Sequence, residues 1–162
     1  MSTHPTIPAA GSPAPDFALP DDTGATRSLA AQRGRWVVLF FYPKDDTPGC
    51  TIEACQFRDG YADFQADGAE VWGISILDSA SKAAFKAKHG LTFPLLADAE
   101  HAVAEAYGAW REKSMYGKTY MGVARVTFLI DPEGRVARAW DPVTPDGHAA
   151  EVRAALAELR GA

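Results

Sequence analysis

Cysteine is scarce in this chain, with two residues in 162. That is too few for a disulfide framework, and in a reducing compartment a structural bridge would be unusual. The pair is then two small buried hydrophobes, an incomplete metal site or redox chemistry. Long apolar runs are also lacking. The densest, residues 36–42, is seven residues long, where a bilayer span needs about 20, so no membrane crossing is expected. There is no basic excess. The formal net charge is −5 and Lys and Arg form no stripe, which argues against nucleic-acid binding. His4, His89, His101 and His148 are scattered without a ligand pattern, and a five-residue cysteine spacing does not recur in zinc sites. No metal and no cofactor are expected. Residues 1–15 carry neither a basic n-region nor an apolar h-region. They are rich in Pro, Ala, Ser and Thr and read as a flexible leader through residue 13, with the cytoplasm as the default location.

What is present suits one globular domain over residues 14–162, with 47% hydrophobic and 23% charged residues. Residues 14–20 read as a short edge segment before the turn Asp21-Asp22-Thr23-Gly24. Residues 35–42 are too short for a typical helix and do not alternate, so they read as a central strand buried on both faces and stopped by Pro43. Thr47-Pro48-Gly49-Cys50 opens a helix to about Phe64, with Thr47 as N-cap and Pro48 in the first turn. A strand is expected over residues 70–77. A helix follows from Asp78 or Ser79 to His89, stopped by Gly90. Residues 93–97 read as a short strand, 101–107 as a short helix and 122–130 as a strand. Asp131-Pro132-Glu133-Gly134 turns the chain into a hairpin partner over 135–140. Asp146 begins a last helix with Val152, Leu156 and Leu159 on one face. This order predicts an α/β protein with a thioredoxin-like fold, a central mixed sheet flanked by helices on both faces.

Cys50 follows a strand and lies in the first turn of a helix. Free N–H groups and a partial positive charge gather there, and both favour a thiolate over a thiol. A thiolate is the nucleophile that peroxide chemistry needs. Cys55 is five residues on. On an intact helix that spacing turns the side chain by about 140° and separates the Cα atoms by roughly 8.7 Å. A disulfide needs less than about 7 Å, whereas a C-x-x-C pair, at roughly 5 Å, could close. The spacing thus suits a sulfur that is oxidised first and joined afterwards, once a helical turn melts. Gly49, a poor helix former, would ease that melting.

The run Pro43-Lys44-Asp45-Asp46-Thr47-Pro48-Gly49-Cys50 resembles the peroxiredoxin active-site motif, P-x-x-x-T-x-x-C. With Phe41-Tyr42 before it and Thr51-Ile52-Glu53-Ala54-Cys55 after it, the chain is similar to the bacterioferritin comigratory protein group, or PrxQ. The likeness continues through Met115-Tyr116-Gly117-Lys118, Gly122, Arg125 and Thr127-Phe128-Leu129-Ile130-Asp131. It implies a thiol peroxidase with Cys50 as peroxidatic and Cys55 as resolving cysteine. Thr47 would hydrogen-bond at the sulfur and peroxide oxygens, Pro43 would shield the pocket, and Arg125 would stand beside the sulfur. Glu53 would hold Arg125 through a salt bridge or simply offset the helix dipole. Tyr42, Trp110 and Phe128 read as core or pocket wall.

The resemblance further implies an intramolecular Cys50–Cys55 disulfide, hydrogen peroxide and organic hydroperoxides as substrates, a thioredoxin or glutaredoxin-like reductant, and a monomer. Two other functions remain compatible with the residues. One is a thioredoxin-fold disulfide oxidoreductase, against which the absence of C-x-x-C counts. The other is a non-enzymatic redox sensor.

Overall fold

The computed structural model describes residues 6–161. The chain first makes a small antiparallel pair, β1 (Ala18–Pro20) and β2 (Thr26–Ser28). The turn between them is organised by the buried carboxylate of Asp21, which accepts from the Thr23 and Ala25 amides and from Arg27. The apolar run then forms β3 (Trp36–Phe41). Successive side chains of a strand leave opposite faces. Accordingly Val38 and Phe40 enter one core cluster, and Val37, Leu39 and Phe41 enter the other. A strand of this kind must be covered on both sides.

The covering follows in chain order. α1 (Pro48–Ala66) buries Ala54, Phe57, Tyr61 and Phe64, whose spacing of three and four residues puts them on one face. β4 (Ala69–Ser75) pairs parallel with β3. α2 (Ser79–His89) is capped by the Asp78 carboxylate, which accepts from the Ser81 amide at 2.9 Å. It ends at Gly90, held at φ 60° in the left-handed region that glycine tolerates best. β5 (Leu95–Ala97) pairs parallel with β4. The short α3 (Ala102–Ala106) lies on the opposite face, where Val103 and Ala104 join the core of Trp72 and Phe128.

Next comes a hairpin the sequence did not announce, β6 (Trp110–Met115) and β7 (Lys118–Val123). Tyr116 at φ 53° and Gly117 at φ 77° make its two-residue turn. Residues 122–130, expected as one strand, are interrupted. β7 stops at Val123, Ala124 donates its amide to the Ala109 carbonyl, and β8 (Val126–Ile130) begins only after Arg125. The break frees Arg125 from any sheet ladder. β9 (Val136–Trp140) closes the hairpin with β8, and α4 (His148–Arg160) returns over the sheet. Asp146 does not start this helix. Its carboxylate is taken by Gln56 Nε2 at 2.6 Å, and Gly147 stands at the N-cap.

The main sheet therefore runs β5-β4-β3-β8-β9, with β4 and β5 parallel to β3 and the β8–β9 side antiparallel. It is the mixed thioredoxin-like sheet that the element order predicts. Residues 11–13 of the expected leader, and Ala14 after them, run beside the start of β9. Gly11 donates to the Val136 carbonyl, Val136 to Ser12 and Ala14 to Gly134. Residues 1–5 lie outside the described residues. Among those described, no helix is long and apolar enough to cross a membrane.

Candidate active site

The loop leaving β3 is fastened before it reaches the first cysteine. Tyr42 makes a last ladder bond to the Ile74 carbonyl, and Pro43, without an N–H, ends the pairing. Asp45 is buried beneath the loop. It accepts from Tyr42 Oη at 2.5 Å, from Ser81 Oγ at 2.8 Å and from Lys82 Nζ at 3.3 Å. Lys82 is 0% exposed and also donates to Ser75 Oγ at 2.6 Å. A buried ammonium without partners would be costly, and these partners offset that cost. Burial still pushes the Lys82 ammonium's pKa below its ordinary value, against the pull of Asp45. Asp46, at φ 60°, is tied to the end of α2 by Lys88 Nζ at 2.7 Å and His89 Nε2 at 2.8 Å.

Thr47 has the extended backbone of an N-cap, and its carbonyl accepts the first helical bond from Thr51. Its side chain caps nothing. A hydroxyl has one proton, and Thr47 gives it to the Lys44 carbonyl at 3.1 Å, leaving the oxygen's lone pairs to accept.

Cys50 then falls in the first turn of α1 and is 1% exposed. Arg125, released from the sheet at the β7–β8 break, donates from Nη2 to Cys50 Sγ at 3.4 Å and from Nη1 to Glu53 Oε1 at 2.8 Å. Burial alone would lower the pKa of Arg125, but Cys50 and Glu53 outweigh it and raise it. The Glu53 carboxyl is pushed up to about 7, chiefly by burial, with Arg125 pulling the other way. One of its oxygens explains why burial wins: Oε2 is buried without a partner among the described residues. A second cation stands nearby. Lys113 on β6 donates to the Val123 carbonyl at 2.5 Å, and burial, then the charge of Arg125, lowers its pKa.

Gly49 has a role besides easing the helix open. A Cβ there would lie 3.0 Å from Arg125 Nη2, so glycine lets the guanidinium lie against the helix start. Cys55 is in different company. Both cysteines are free and α1 is unbroken between them. Cys55 is half-buried, with Arg58 Nη1 3.7 Å from its sulfur.

Of the residues singled out from sequence, Cys50, Glu53, Gly49 and Arg125 meet directly. Pro43 and Thr47 belong to the loop that delivers Cys50, and Cys55 stands apart. Tyr42 is more than pocket wall, because its hydroxyl holds Asp45. Asp45, Asp46, Lys82, Lys113 and Arg58 escaped sequence reasoning. Only Lys82 left a signal, as a lysine three residues before Phe85 on the buried face of α2. A groove lies between α1 and α4, lined by residues such as Asp63, Phe64 and Arg153, and neither cysteine lines it. Among the described residues no cluster of His, Cys, Asp and Glu could hold a metal ion.

Residues 10–139 match the AhpC/TSA family. The chain is 46% identical to peroxiredoxin Bcp of Bacillus subtilis over 149 residues, 92% of this chain and 95% of that protein. It is 48% identical to a putative peroxiredoxin bcp of Coxiella burnetii over 142 residues, 88% of this chain and 94% of that one. Among solved structures, the bacterioferritin comigratory protein of Xanthomonas campestris superposes with a TM-score of 0.88 at 40% identity. The match covers 94% of this chain and 99% of that one. That protein was captured in trapped intermediate and ligand complexes bearing on its alkyl peroxide reduction.

Proposed function

This chain belongs to the AhpC/TSA family, and within it to the Bcp/PrxQ peroxiredoxins; it is a thiol peroxidase, and we propose that Cys50 is its peroxidatic cysteine and Cys55 its resolving cysteine. The observation that carries the assignment is the Arg125 guanidinium 3.4 Å from a sulfur in the first turn of a helix. A fixed positive charge and free helix amides both favour the thiolate.

The cycle has three steps. The Cys50 thiolate attacks one oxygen of hydrogen peroxide or an organic hydroperoxide. An S–O bond forms, the O–O bond breaks, and the departing oxygen takes a proton to leave as water or an alcohol. Arg125 steadies the charge that grows on the oxygens, and the Thr47 lone pairs accept the peroxide's proton in a hydrogen bond. Pro43 shields the loop side of the pocket. Cys55 then attacks the Cys50 sulfenic acid. The S–S bond forms, the S–O bond breaks, and hydroxide leaves as water. The five-residue spacing makes this step wait for the first turns of α1 to unwind. An external dithiol protein, thioredoxin or a glutaredoxin-like reductant, reduces the disulfide by exchange. No bound cofactor takes part. The working form is a monomer in the cytoplasm, where two free cysteines suit a reducing compartment.

Mass spectrometry after one equivalent of peroxide tests the roles. A sulfenic acid should accumulate on Cys50 only in the Cys55→Ser variant, and wild type should carry a 50–55 disulfide. Oxidation beginning at Cys55 would overturn the assignment. Peroxide consumption driven by NADPH, thioredoxin reductase and thioredoxin separates this cycle from simple disulfide exchange, which would consume none.

A further inference from the structure

Cys55 has a cation of its own. Arg58 stands three residues on, so the two side chains share one face of α1. Its Nη1 lies 3.7 Å from Cys55 Sγ and 2.7 Å from the His89 carbonyl oxygen. Its Nε and Nη2 are taken by Asp59 at 3.0 and 2.9 Å. His89 is the last residue of α2, where carbonyls lack helical partners and carry the negative end of the helix. The guanidinium is thus anchored by another helix, independent of the turns of α1 that have to open. Asp59 raises its pKa most, burial opposes that rise, and the neighbouring Cys55 sulfur adds to it.

We propose that Arg58 is the positioning residue of the resolving step, holding Cys55 as a thiolate ready to attack oxidised Cys50. The proposal rests on Cys55 being the resolving cysteine. The attack needs a thiolate, because the thiol is the weaker nucleophile. Arg125 cannot supply both sulfurs, since its two terminal nitrogens already serve Cys50 and Glu53. Two features moderate the effect. Asp59 neutralises part of the Arg58 charge, and the pair is partly exposed to solvent, so the gain is modest. The other polar neighbours at the end of α2, Lys88 and the His89 ring, are engaged with Asp46 in the active-site loop.

A role that is only a tether between α1 and α2 makes a different prediction. Gln at position 58 keeps N–H donors for the His89 carbonyl but has no charge. Lys keeps the charge but has no fork. The test uses the full chain with Arg58→Gln and Arg58→Lys, rapid quenching and mass spectrometry. Oxidation of Cys50 by peroxide should be unchanged in both. Formation of the 50–55 disulfide should slow about fivefold in Arg58→Gln and stay close to wild type in Arg58→Lys. Under excess peroxide, the Gln variant should carry correspondingly more sulfinic acid on Cys50. In a Cys50→Ser background, alkylation of Cys55 by iodoacetamide at pH 7 should follow the same order. A Gln variant that closes its disulfide at the wild-type rate, or a Lys variant as slow as Gln, overturns the proposal while leaving the cycle intact. Absence of any 50–55 disulfide in wild type overturns the cycle and the proposal with it.

Discussion

From Pro48 to Cys55, α1 is held to the rest of the molecule by one charged cluster, Glu53 and Cys50 on Arg125, and by the small side chains of Cys50, Ala54 and the half-buried Cys55 packed against the core. From Gln56 to Ala66 the same helix is fastened repeatedly. Gln56 bonds Asp146 and the Gly147 amide, and Phe57 stacks on Phe40 with ring centroids 4.7 Å apart. Arg58 reaches His89, Tyr61 donates to Glu70, and Phe64 is fully buried. In the proposed cycle the difference locates the break. A thiolate beside Arg125 is a charge-assisted contact, and it weakens once oxidation turns the sulfur into a neutral sulfenic acid. The chemistry thus loosens the weakly held stretch and leaves the strongly held one in place.

Stability measurements can break this comparison first. Phe57→Ala should cost about 3–5 kcal/mol in denaturant unfolding, because a stacked, buried ring leaves a cavity. Ile52→Ala, at a side chain 45% exposed in the weakly held stretch, should cost within about 0.5 kcal/mol. Equal costs would erase the distinction. Arg125→Lys keeps a charge near Cys50 but loses the fork that spans Cys50 and Glu53. Stopped-flow tryptophan fluorescence should show oxidation by peroxide slowed about tenfold, and an unchanged rate would remove Arg125 from its role.

A separate, pH-dependent effect concerns Glu53. Its carboxyl lies at about 7 in the folded protein against an ordinary value of 4.5. A raised carboxyl contributes stability fully below about 4.5 and loses it as pH rises through about 7. Glu53→Gln stays neutral throughout. The melting temperature of wild type should therefore fall relative to Glu53→Gln between pH 5 and 8, as read by thermal unfolding across that range. Parallel curves would mean that the ion pair with Arg125 outweighs burial.

The strands and helices around Cys50 were legible because their signals are strong. β3 is a continuous apolar run, α2 has Asp78 and Gly90 at its ends, and the motif from Pro43 to Cys50 carries its own geometry. The β6–β7 hairpin was not legible, because most of its side chains are exposed on both sides and leave no alternation to read. The interruption before Arg125 was hidden for a related reason. Gly122, Val123 and Ala124 are as compatible with a strand as their neighbours, and only the Ala109 bond to Ala124 breaks the run. Asp146 reads as a helix start by propensity, yet a tertiary bond to Gln56 claims its side chain. Neither Arg58 nor Lys82 is singled out by the sequence reading. Their partners, His89 and Asp45, are 31 and 37 residues away, a separation that no local pattern encodes.

Amide hydrogen exchange, compared between the reduced protein and the form oxidised by one equivalent of peroxide, addresses the opening of α1 most directly. The account predicts that protection at residues 52–55 is lost on oxidation while residues 57–66 keep theirs. Retained protection through residues 52–55, in protein whose 50–55 disulfide is verified by mass spectrometry, would contradict it.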